Sequence, residues 1–394
     1  MEESLKLKKC LVLSELYPPL VGGSSTMFAS RFALYPPEHV VVLTKTVEKA
    51  DTFDKSVRYL ITRVPLAWKG PKGFEWLGIT WKFIQSGFLL ARACKVDVIE
   101  CARPLPEGVA GYIIAKLLRK KLVVNFHGED IAVLQNYKVE RFLLQRVIRA
   151  AQLNLANSRF TESLIQGLGG PQARTAVISP GFYPKPLEHL DQAKISQMRE
   201  QIGGQPILLT VGRLQRRKGQ DQVIRALPRV IRHFPEVKYV IVGSTQGGTA
   251  GLAESLQNLA EEVGVSQHVL LVGEVNHGVL PYYYAACDLF LMPNRREPGG
   301  DAEGFGIVFL EAGFLGKPVI GGNSGGVPDA VQHGKTGVLV DGESVEEIAE
   351  AILQILSDEN LARTMSEQGR AFAQSLTHEK VFERYQTVMA GVGS

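Results

Sequence analysis

Residues 289–311 read LFLMPNRREPGGDAEGFGIVFLE, and this stretch carries the pattern that decides the fold. The apolar run Leu289–Met292 predicts a buried strand, and the apolar run after Gly306 predicts the start of a helix. A glycine-rich loop with the acid Glu303 lies between them, and a second acid, Glu311, follows. Because free N–H groups at a helix start can hold an anion, this order favours an α/β protein that binds a phosphate-bearing ligand.

The two acids suit a ligand that also carries many hydroxyls, since carboxylates accept hydrogen bonds from hydroxyl groups. Glu303 and Glu311 are eight residues apart. On a regular helix this spacing is about 12 Å of rise and roughly 80° of rotation, the reach needed to grip both ends of a sugar nucleotide. The alternative is a buried helix that follows a loop, with two incidental acids.

Length and composition predict a two-domain globular protein. The chain has 394 residues, of which 45% are hydrophobic and 21% charged, and that length favours two cores over one. The apolar runs are shorter than a membrane span, the N-terminal residues are polar, and the four cysteines form no C-x-x-C pair. These features favour a cytoplasmic protein with reduced thiols.

The net charge of +4 hides an asymmetry between the two halves. Residues 1–185 carry 26 Lys and Arg against 15 Asp and Glu, or +11, and the remainder carries 18 against 25, or −7. A basic first half predicts an anionic partner, such as lipid headgroups or a phosphorylated acceptor. Nucleic acid is the least favoured candidate, because no nucleic-acid-binding motif is present. The alternative is charge spread evenly for solubility.

Short apolar runs alternate with helical stretches, a pattern typical of parallel sheets covered on both faces. The predicted strands are Cys10–Ser14, His39–Thr44, Val96–Glu100, Leu122–Phe126, Leu153–Ala156, Ile207–Val211, Tyr239–Val242, Val269–Val272, Leu289–Met292, Val319–Gly321 and Val338–Val340. The series breaks in the Pro- and Gly-rich stretch Ser179–Glu188. We therefore predict two doubly wound, Rossmann-like α/β domains facing across a cleft, residues 1–183 and 184–377. The last helix, about 378–394, is expected to return to the first domain.

Two glycine- or cation-rich loops follow predicted strands. Gly22 and Gly23 would allow a backbone to approach a phosphate closely, although glycine pairs are also common in ordinary turns. The stretch VGRLQRRKGQD, 211–221, carries Arg213 and Lys218, a pair suited to a diphosphate. Its other two cations, Arg216 and Arg217, are expected to be solvated.

Three further motifs are candidates for function. His127, in NFHGED at 125–130, follows a predicted strand and is flanked by Gly128 and Glu129, which favours a functional over a purely structural role. The loop NSGGVPDAV, 323–331, would present backbone N–H groups or form a plain turn. A Trp- and Lys-rich stretch, 68–83, has the composition of a membrane interface or of a helix that packs its aromatic residues inward.

Together these motifs resemble the retaining glycosyltransferases of family four, which have the GT-B fold. Within that family, the likeness is strongest to bacterial phosphatidylinositol mannoside mannosyltransferases. It covers nearly the whole chain through YPPLVGG, FHGED, GRLQRRKGQD, MPNRREPGGDAEGFGIVFLEA and SGGVPD. The chain departs from these relatives mainly between Glu48 and Arg92, a region expected to shape the acceptor site.

The resemblance implies a role for each matching residue. Arg213 and Lys218 would bind the donor diphosphate, Glu303 the sugar hydroxyls and Glu311 the ribose hydroxyls, with His127 near the sugar ring on the acceptor side. The implied catalytic residues are His127, Arg213, Lys218 and Glu303. The implied donor-binding residues are Gly22, Gly23, Gly212, Arg213, Lys218, Gly243, Val275, Glu303, Gly304, Phe305, Gly306, Ile307 and Glu311.

The resemblance also implies a reaction. A hexose, best assigned as mannose from GDP-mannose, would move to a lipid-linked, saccharide or other hydroxyl acceptor with retention, by front-face attack through an oxocarbenium-like transition state. Neither a metal nor a cofactor is expected, and Asp301–Glu303 is interpreted as a pair of loop acids rather than a metal-binding DxD. The protein is expected in the cytoplasm, with the inner face of an anionic membrane as a candidate contact.

Other functions remain open from the sequence. They are a sugar-nucleotide epimerase on the same fold, a transferase that uses UDP-sugars on a soluble acceptor, and a non-catalytic sugar-nucleotide binder. A dehydrogenase is disfavoured, because no G-x-G-x-x-G follows the first strand.

Overall fold

The computed structural model describes residues 8–20, 23–66, 75–245 and 249–393. The chain divides into two compact units, Met1–Gly181 with His378–Ser394, and Phe182–Thr377. The chain passes between the units at residues 181/182 and 377/378, whereas the sequence analysis placed the domain boundaries at 183/184 and 377/378.

The first unit is built on a parallel sheet of seven strands in the order β3-β2-β1-β4-β5-β6-β7. The strands are β1 (Cys10–Ser14), β2 (Val40–Lys45), β3 (Leu60–Val64), β4 (Val98–Cys101), β5 (Lys121–Phe126), β6 (Leu153–Ala156) and β7 (Thr175–Val177). The helices between them are α1 (Gly23–Ala33), α2 (Ala50–Ser56), α3 (Glu75–Ala93), α4 (Val109–Leu118), α5 (Glu129–Ala132), α6 (Lys138–Ala150) and α7 (Arg159–Gly169). Every residue of β1 is buried, as its continuous apolar run predicts for a strand covered on both faces.

The second unit has a parallel sheet of six strands in the order β10-β9-β8-β11-β12-β13. Its strands are β8 (Ile207–Val211), β9 (Lys238–Val242), β10 (Val269–Gly273), β11 (Leu289–Met292), β12 (Val319–Gly322) and β13 (Gly337–Val340). Its helices are α8 (Gln192–Ile202), α9 (Gln220–Ile231), α10 (Leu252–Glu262), α11 (Leu280–Ala286), α12 (Ile307–Phe314), α13 (Val327–Ala330), α14 (Val345–Ser357) and α15 (Glu359–Gln374). Two doubly wound Rossmann-like units are thus present, as the strand pattern predicted.

Two strands were missed by the sequence analysis, β3 and β7, and both lie at the edges of the first sheet. Their residues are partly exposed, so neither strand has the continuous apolar run used to find the others. An edge strand has a partner on one side only and needs less apolar sequence. The search for apolar runs therefore found the central strands of both sheets and the edge strands β10 and β13 of the second, and it missed only the two edge strands of the first.

The final helix, α16 (His378–Ala390), is part of the first unit. The buried hydroxyl of Tyr385 donates a hydrogen bond of 2.5 Å to Oε2 of Glu100 in β4. Oε1 of Glu100 lies 3.3 Å from Nη1 of Arg31 in α1, whose guanidinium stacks 4.6 Å from the Tyr385 ring. Because an unpaired buried charge is costly, this network specifies where α16 docks.

Candidate active site

The loops after β8 and β11 bring Lys218 and Glu303 together. These two strands are neighbours at the centre of the second sheet, and ligands of such sheets lie beyond the strands' carboxyl ends. Lys218 closes a short 3-10 turn, Arg216–Lys218, and Glu303 lies in the loop before α12. The fold therefore joins two of the predicted site residues that are 85 positions apart in the chain.

Three donors converge on one carboxylate oxygen, Oε2 of Glu303. The ammonium of Lys218 donates to it, Nη1 of Arg217 lies 2.7 Å away and Nδ2 of Asn294 lies 3.3 Å away. Arg217 also pairs through Nε with Oδ2 of Asp301, at 3.4 Å. The prediction that Arg217 is solvated was wrong, since its side chain is only 5% exposed, whereas Arg216 is exposed.

The cluster is electrostatically coupled. Burial alone would raise the pKa of Glu303, but the charges of Lys218 and Arg217 and their hydrogen bonds outweigh it and hold this pKa at about 2. Burial lowers the pKa of Lys218, and repulsion from Arg217 and Arg213 adds to the lowering, while Glu303 opposes it. A carboxylate that stays ionised beside two cations can accept hydrogen bonds from hydroxyls, and the cations can turn to an anionic ligand.

Glycines bring the backbones of this site into close contact. A Cβ on Gly219, which has φ +76°, would collide with the carbonyl of Pro293, and a Cβ on Gly325 would collide with the carbonyl of Glu303. The next residue, Gly326, donates its N–H to that same carbonyl at 2.8 Å. The SGGVPD loop thus supports the backbone of Glu303.

The second acid, Glu311, lies within α12, and the hydroxyl of Tyr284 donates to its Oε2 at 2.7 Å. Burial raises the pKa of Glu311, against the Tyr284 hydrogen bond and the charge of His277. The helix begins at Ile307, after Gly306 with φ +97°, so Glu303 precedes it. The sequence analysis estimated a rise of about 12 Å between Glu303 and Glu311 by placing both on one helix. That premise was wrong, because Glu303 lies in the loop before the helix.

A cavity of about 340 Å³ lies over the carboxyl ends of β9 and β10, at the low end of the range for small-molecule sites. Its lining includes Leu214, the predicted residue Gly243 and Glu274, which is next to Val275. Gly243 has no room for a side chain, because a Cβ there would collide with the carbonyl of Gly212. These predicted residues therefore share one end of the sheet with Lys218.

The remaining predicted donor residues are distributed as follows. Arg213 is exposed and lies between Gly212 and the cavity-lining Leu214. Gly304, Phe305, Gly306 and Ile307 form the segment that enters α12. In the first unit, Gly23 is the first residue of α1, while Gly22 lies outside the described residues.

His127 follows β5 in the first unit and is held on several sides. Its Nε2 lies 2.9 Å from the carbonyl of Ala102, its carbonyl accepts from Asn157 at 2.9 Å, and its ring packs edge-on against Phe28. Burial lowers the pKa of His127 to about 4, although the Ala102 hydrogen bond opposes this. Since a carbonyl only accepts, Nε2 carries the proton and Nδ1 is left as an acceptor.

Two buried acids of the first unit were missed by the sequence analysis. Asp130 accepts from the backbone N–H of His127 at 3.0 Å, and Glu107 accepts from that of Glu15 at 2.9 Å. Burial raises the pKa of each carboxyl to about 7. Asp130 lies within the quoted FHGED motif and could have been noticed, whereas nothing in the sequence around Glu107 signals a buried acid.

The Trp- and Lys-rich stretch is described only from residue 75. Trp81 is 59% exposed and Lys82 is exposed, while Phe83 is buried. Trp68, Lys69 and Lys72 lie outside the described residues. Within the described ranges, no helix is long and apolar enough to cross a membrane, and no three His, Cys, Asp or Glu side chains gather as metal ligands would.

Two family matches divide the chain between them. Residues 38–185 match Glycosyltransferase Family 4, and residues 191–372 match Glycosyl transferases group 1. The chain is 38% identical over 376 residues to a GDP-mannose-dependent alpha-(1-6)-phosphatidylinositol monomannoside mannosyltransferase of Mycobacterium tuberculosis, covering 92% of this chain and 93% of that protein. It is 28% identical to the monoacylated-acceptor enzyme of Corynebacterium glutamicum, covering 93% and 94%. These matches support a glycosyltransferase over an epimerase.

Solved structures with the same fold are more distant in sequence. Anabaena HepE in complex with UDP matches with a TM-score of 0.79 at 22% identity, covering 97% of this chain and 100% of that one. Sucrose-phosphate synthase from Thermosynechococcus elongatus matches with a TM-score of 0.78 at 21% identity, covering 98% and 99%. The likeness extends over both units and identifies the fold as GT-B.

Proposed function

Because the chain belongs to the retaining glycosyltransferases of family 4, we propose that it transfers mannose from GDP-mannose to a lipid-linked acceptor of the phosphatidylinositol mannoside class. The observation that carries the proposal is the cluster of Lys218, Arg217 and Glu303 at the carboxyl ends of β8 and β11. The 38% identity to the mycobacterial enzyme supports this choice of donor and acceptor.

The second unit would bind the donor. The cavity lined by Gly243 and Glu274 would take the nucleobase, and Glu311 would hold the ribose with the carboxylate oxygen that Tyr284 leaves open. The diphosphate would lie between Lys218 and Arg213, facing the N–H groups at the start of α12. Glu303 would then exchange its ion pairs for the hydroxyls of the sugar.

Cleavage of the bond between sugar and diphosphate develops negative charge on the leaving phosphate. Lys218 and Arg213 would already be in position before the reaction and would stabilise that charge as it develops. Such preorganised charges are a major source of electrostatic catalysis. Arg217 would keep Glu303 ionised while Lys218 turns to the phosphate. We further propose that the reaction needs neither a metal nor a cofactor, because these cations meet the charge that a metal would otherwise meet.

The first unit would bind the acceptor. With Nε2 fixed on Ala102 and a pKa of about 4, the neutral ring of His127 offers Nδ1 to a hydroxyl. The acceptor's lipid anchor would bring the protein to the cytoplasmic face of an anionic membrane. The excess of +11 in residues 1–185 supports this contact, as do the exposed Trp81 and Lys82.

Thermal shift with paired nucleotides tests the donor assignment. A ligand that binds only the native state raises the melting temperature, so GDP and GDP-mannose should raise it more than UDP and UDP-glucose. Transfer should then be measured as GDP release with phosphatidylinositol mannoside and with a soluble mannoside. A larger shift with UDP-glucose would reject the donor, and equal turnover of the soluble mannoside would reject the acceptor.

A further inference from the structure

The outer face of α6 carries apolar side chains that the core does not use. Tyr137, which precedes the helix, is 58% exposed, Val139 is 59% exposed and Phe142 is 54% exposed. The opposite side of the helix already supplies the buried core residues Leu144 and Ile148. At 100° per residue, Val139 and Phe142 lie across the helix from them, so folding of the unit gives no reason for their apolar character.

Cations surround these exposed apolar side chains. Lys138, Arg141, Arg146 and Arg149 are all exposed, and Glu140 is the one acid between 137 and 149, which gives a local charge of +3. The guanidinium of Arg146 lies 5.1 Å from the centre of the Phe142 ring. A helix with an apolar strip among lysines and arginines is typical of a segment that lies in the interface of an anionic bilayer.

Neighbouring helices extend the same surface. Phe83 of α3, Ile114 of α4 and Leu144 of α6 belong to one buried cluster, so these helices cover the same side of the first sheet. Their outer surfaces therefore face the same way. On these helices, Trp81 of α3 is 59% exposed and Leu117 of α4 is 63% exposed.

We propose that the α6 face, defined as Tyr137, Lys138, Val139, Phe142 and Arg146, is a docking surface for the headgroup region of an anionic membrane. Phe142 and Val139 enter the apolar boundary of the bilayer, and Lys138 and Arg146 meet the lipid phosphates. The charge favours an anionic bilayer over a neutral one. This docking surface rests on the proposed function only for its use, which would be to give the enzyme access to a lipid-linked acceptor.

The apolar half of the proposal is tested with full-length protein and vesicles of equal parts phosphatidylglycerol and phosphatidylcholine. The variant Tyr137→Ser/Val139→Ser/Phe142→Ser should bind these vesicles roughly tenfold more weakly than the wild type. A control, Leu34→Ser/Leu60→Ser/Leu270→Ser, removes three apolar residues elsewhere that are 38%, 51% and 39% exposed, and it should bind as the wild type does. Equal binding by the α6 variant, or no vesicle binding by the wild type, overturns the proposal.

The charged half is tested by Lys138→Gln/Arg146→Gln. Losing two exposed cations should weaken binding by roughly thirtyfold at low salt, and the difference should vanish in high salt. A second copy of the chain is the competing occupant. If sedimentation velocity finds a wild-type dimer that the triple variant converts to monomer, the face is a self-association surface and the proposal fails.

Folding and donor binding are followed separately. Each variant should keep the wild-type melting temperature and its rise with GDP, so that weaker vesicle binding reports the surface alone. If GDP fails to shift the wild type while the vesicle results hold, the proposed function fails and the docking surface stands.

Discussion

Replacing Glu303 with Gln should remove most of the electrostatic stabilisation of the cluster in the second unit. The carboxylate has a folded pKa of about 2 against an ordinary value of 4.5, a difference of 2.5 pH units. At 1.36 kcal/mol per unit this is on the order of 3 kcal/mol. The side chain of Glu303 is 13% exposed, so solvent screens the interaction little.

The sign of the pH dependence follows from the lowered pKa. The stabilisation is fully present above the unfolded pKa of 4.5 and is lost as the pH falls through 2, since both states are then protonated. The difference in unfolding free energy between the wild type and Glu303→Gln should therefore be about 3 kcal/mol at pH 7. It should shrink to about 1 kcal/mol at pH 3 by the same linkage relation.

Urea unfolding at several pH values measures this difference, with two probes that separate the units. All three tryptophans, at 68, 76 and 81, lie in the first unit, so their fluorescence reports that unit, while far-UV circular dichroism also follows the second. The control is Glu350→Gln, the same chemical change in an exposed pair with Arg229, expected to cost under about 1 kcal/mol. A Glu303→Gln variant as stable as the wild type at pH 7, or a difference that grows as the pH falls, would refute the reasoning.

Four further outcomes are expected. Lys218→Ala and Arg213→Ala should each leave the fold intact and raise the activation free energy by about 3–4 kcal/mol, which lowers kcat by 10²- to 10³-fold. Wild-type turnover in both variants would contradict the assignment of these residues to the diphosphate. Activity should survive a chelator, so loss that a divalent ion restores would contradict metal independence. Binding to anionic liposomes should weaken as salt rises, and Lys82→Gln should reduce the binding free energy by roughly 1 kcal/mol at low salt. Binding that does not change with salt would contradict the electrostatic contact with the membrane. The ring of His127 should stay neutral from pH 8 to 5, because burial lowers its pKa to about 4, so an NMR titration midpoint near 6.5 would disprove its buried setting.

The sequence was sufficient for the parts of the fold that depend on continuous apolar runs. Every central strand of both sheets was found, because a strand buried on both faces must be apolar throughout, as in β1. The edge strands β3 and β7 escaped, because their partly exposed residues lack that signal. The sequence also placed Lys218 and Glu303 in loops that follow predicted strands, but it did not predict that they contact each other.

The sequence could not assign partners within the cluster. Arg213, Arg216 and Arg217 look alike in VGRLQRRKGQD, yet the 3-10 turn exposes Arg216 and turns Arg217 inward to Glu303 and Asp301. The choice depends on where the loop after β11 runs, 86 residues later in the chain. No local sequence pattern around Arg217 indicates the path of that distant loop, so the burial of Arg217 could be recognised only from the tertiary structure.

Arg217 gives the cluster a second cation, and this changes how Lys218 can act. If Lys218 were the one partner of Glu303, moving its ammonium to a phosphate would leave a buried carboxylate unpaired, at a cost of several kcal/mol. With Nη1 of Arg217 at 2.7 Å, the carboxylate would keep a charged partner if Lys218 turned to the donor as we propose. Glu303 would then stay ionised and able to accept hydrogen bonds from the sugar while Lys218 stabilises the proposed leaving group. On the proposed donor assignment, the buried Arg217 would therefore allow Lys218 to pair with Glu303 in the empty site and with the donor in the occupied one.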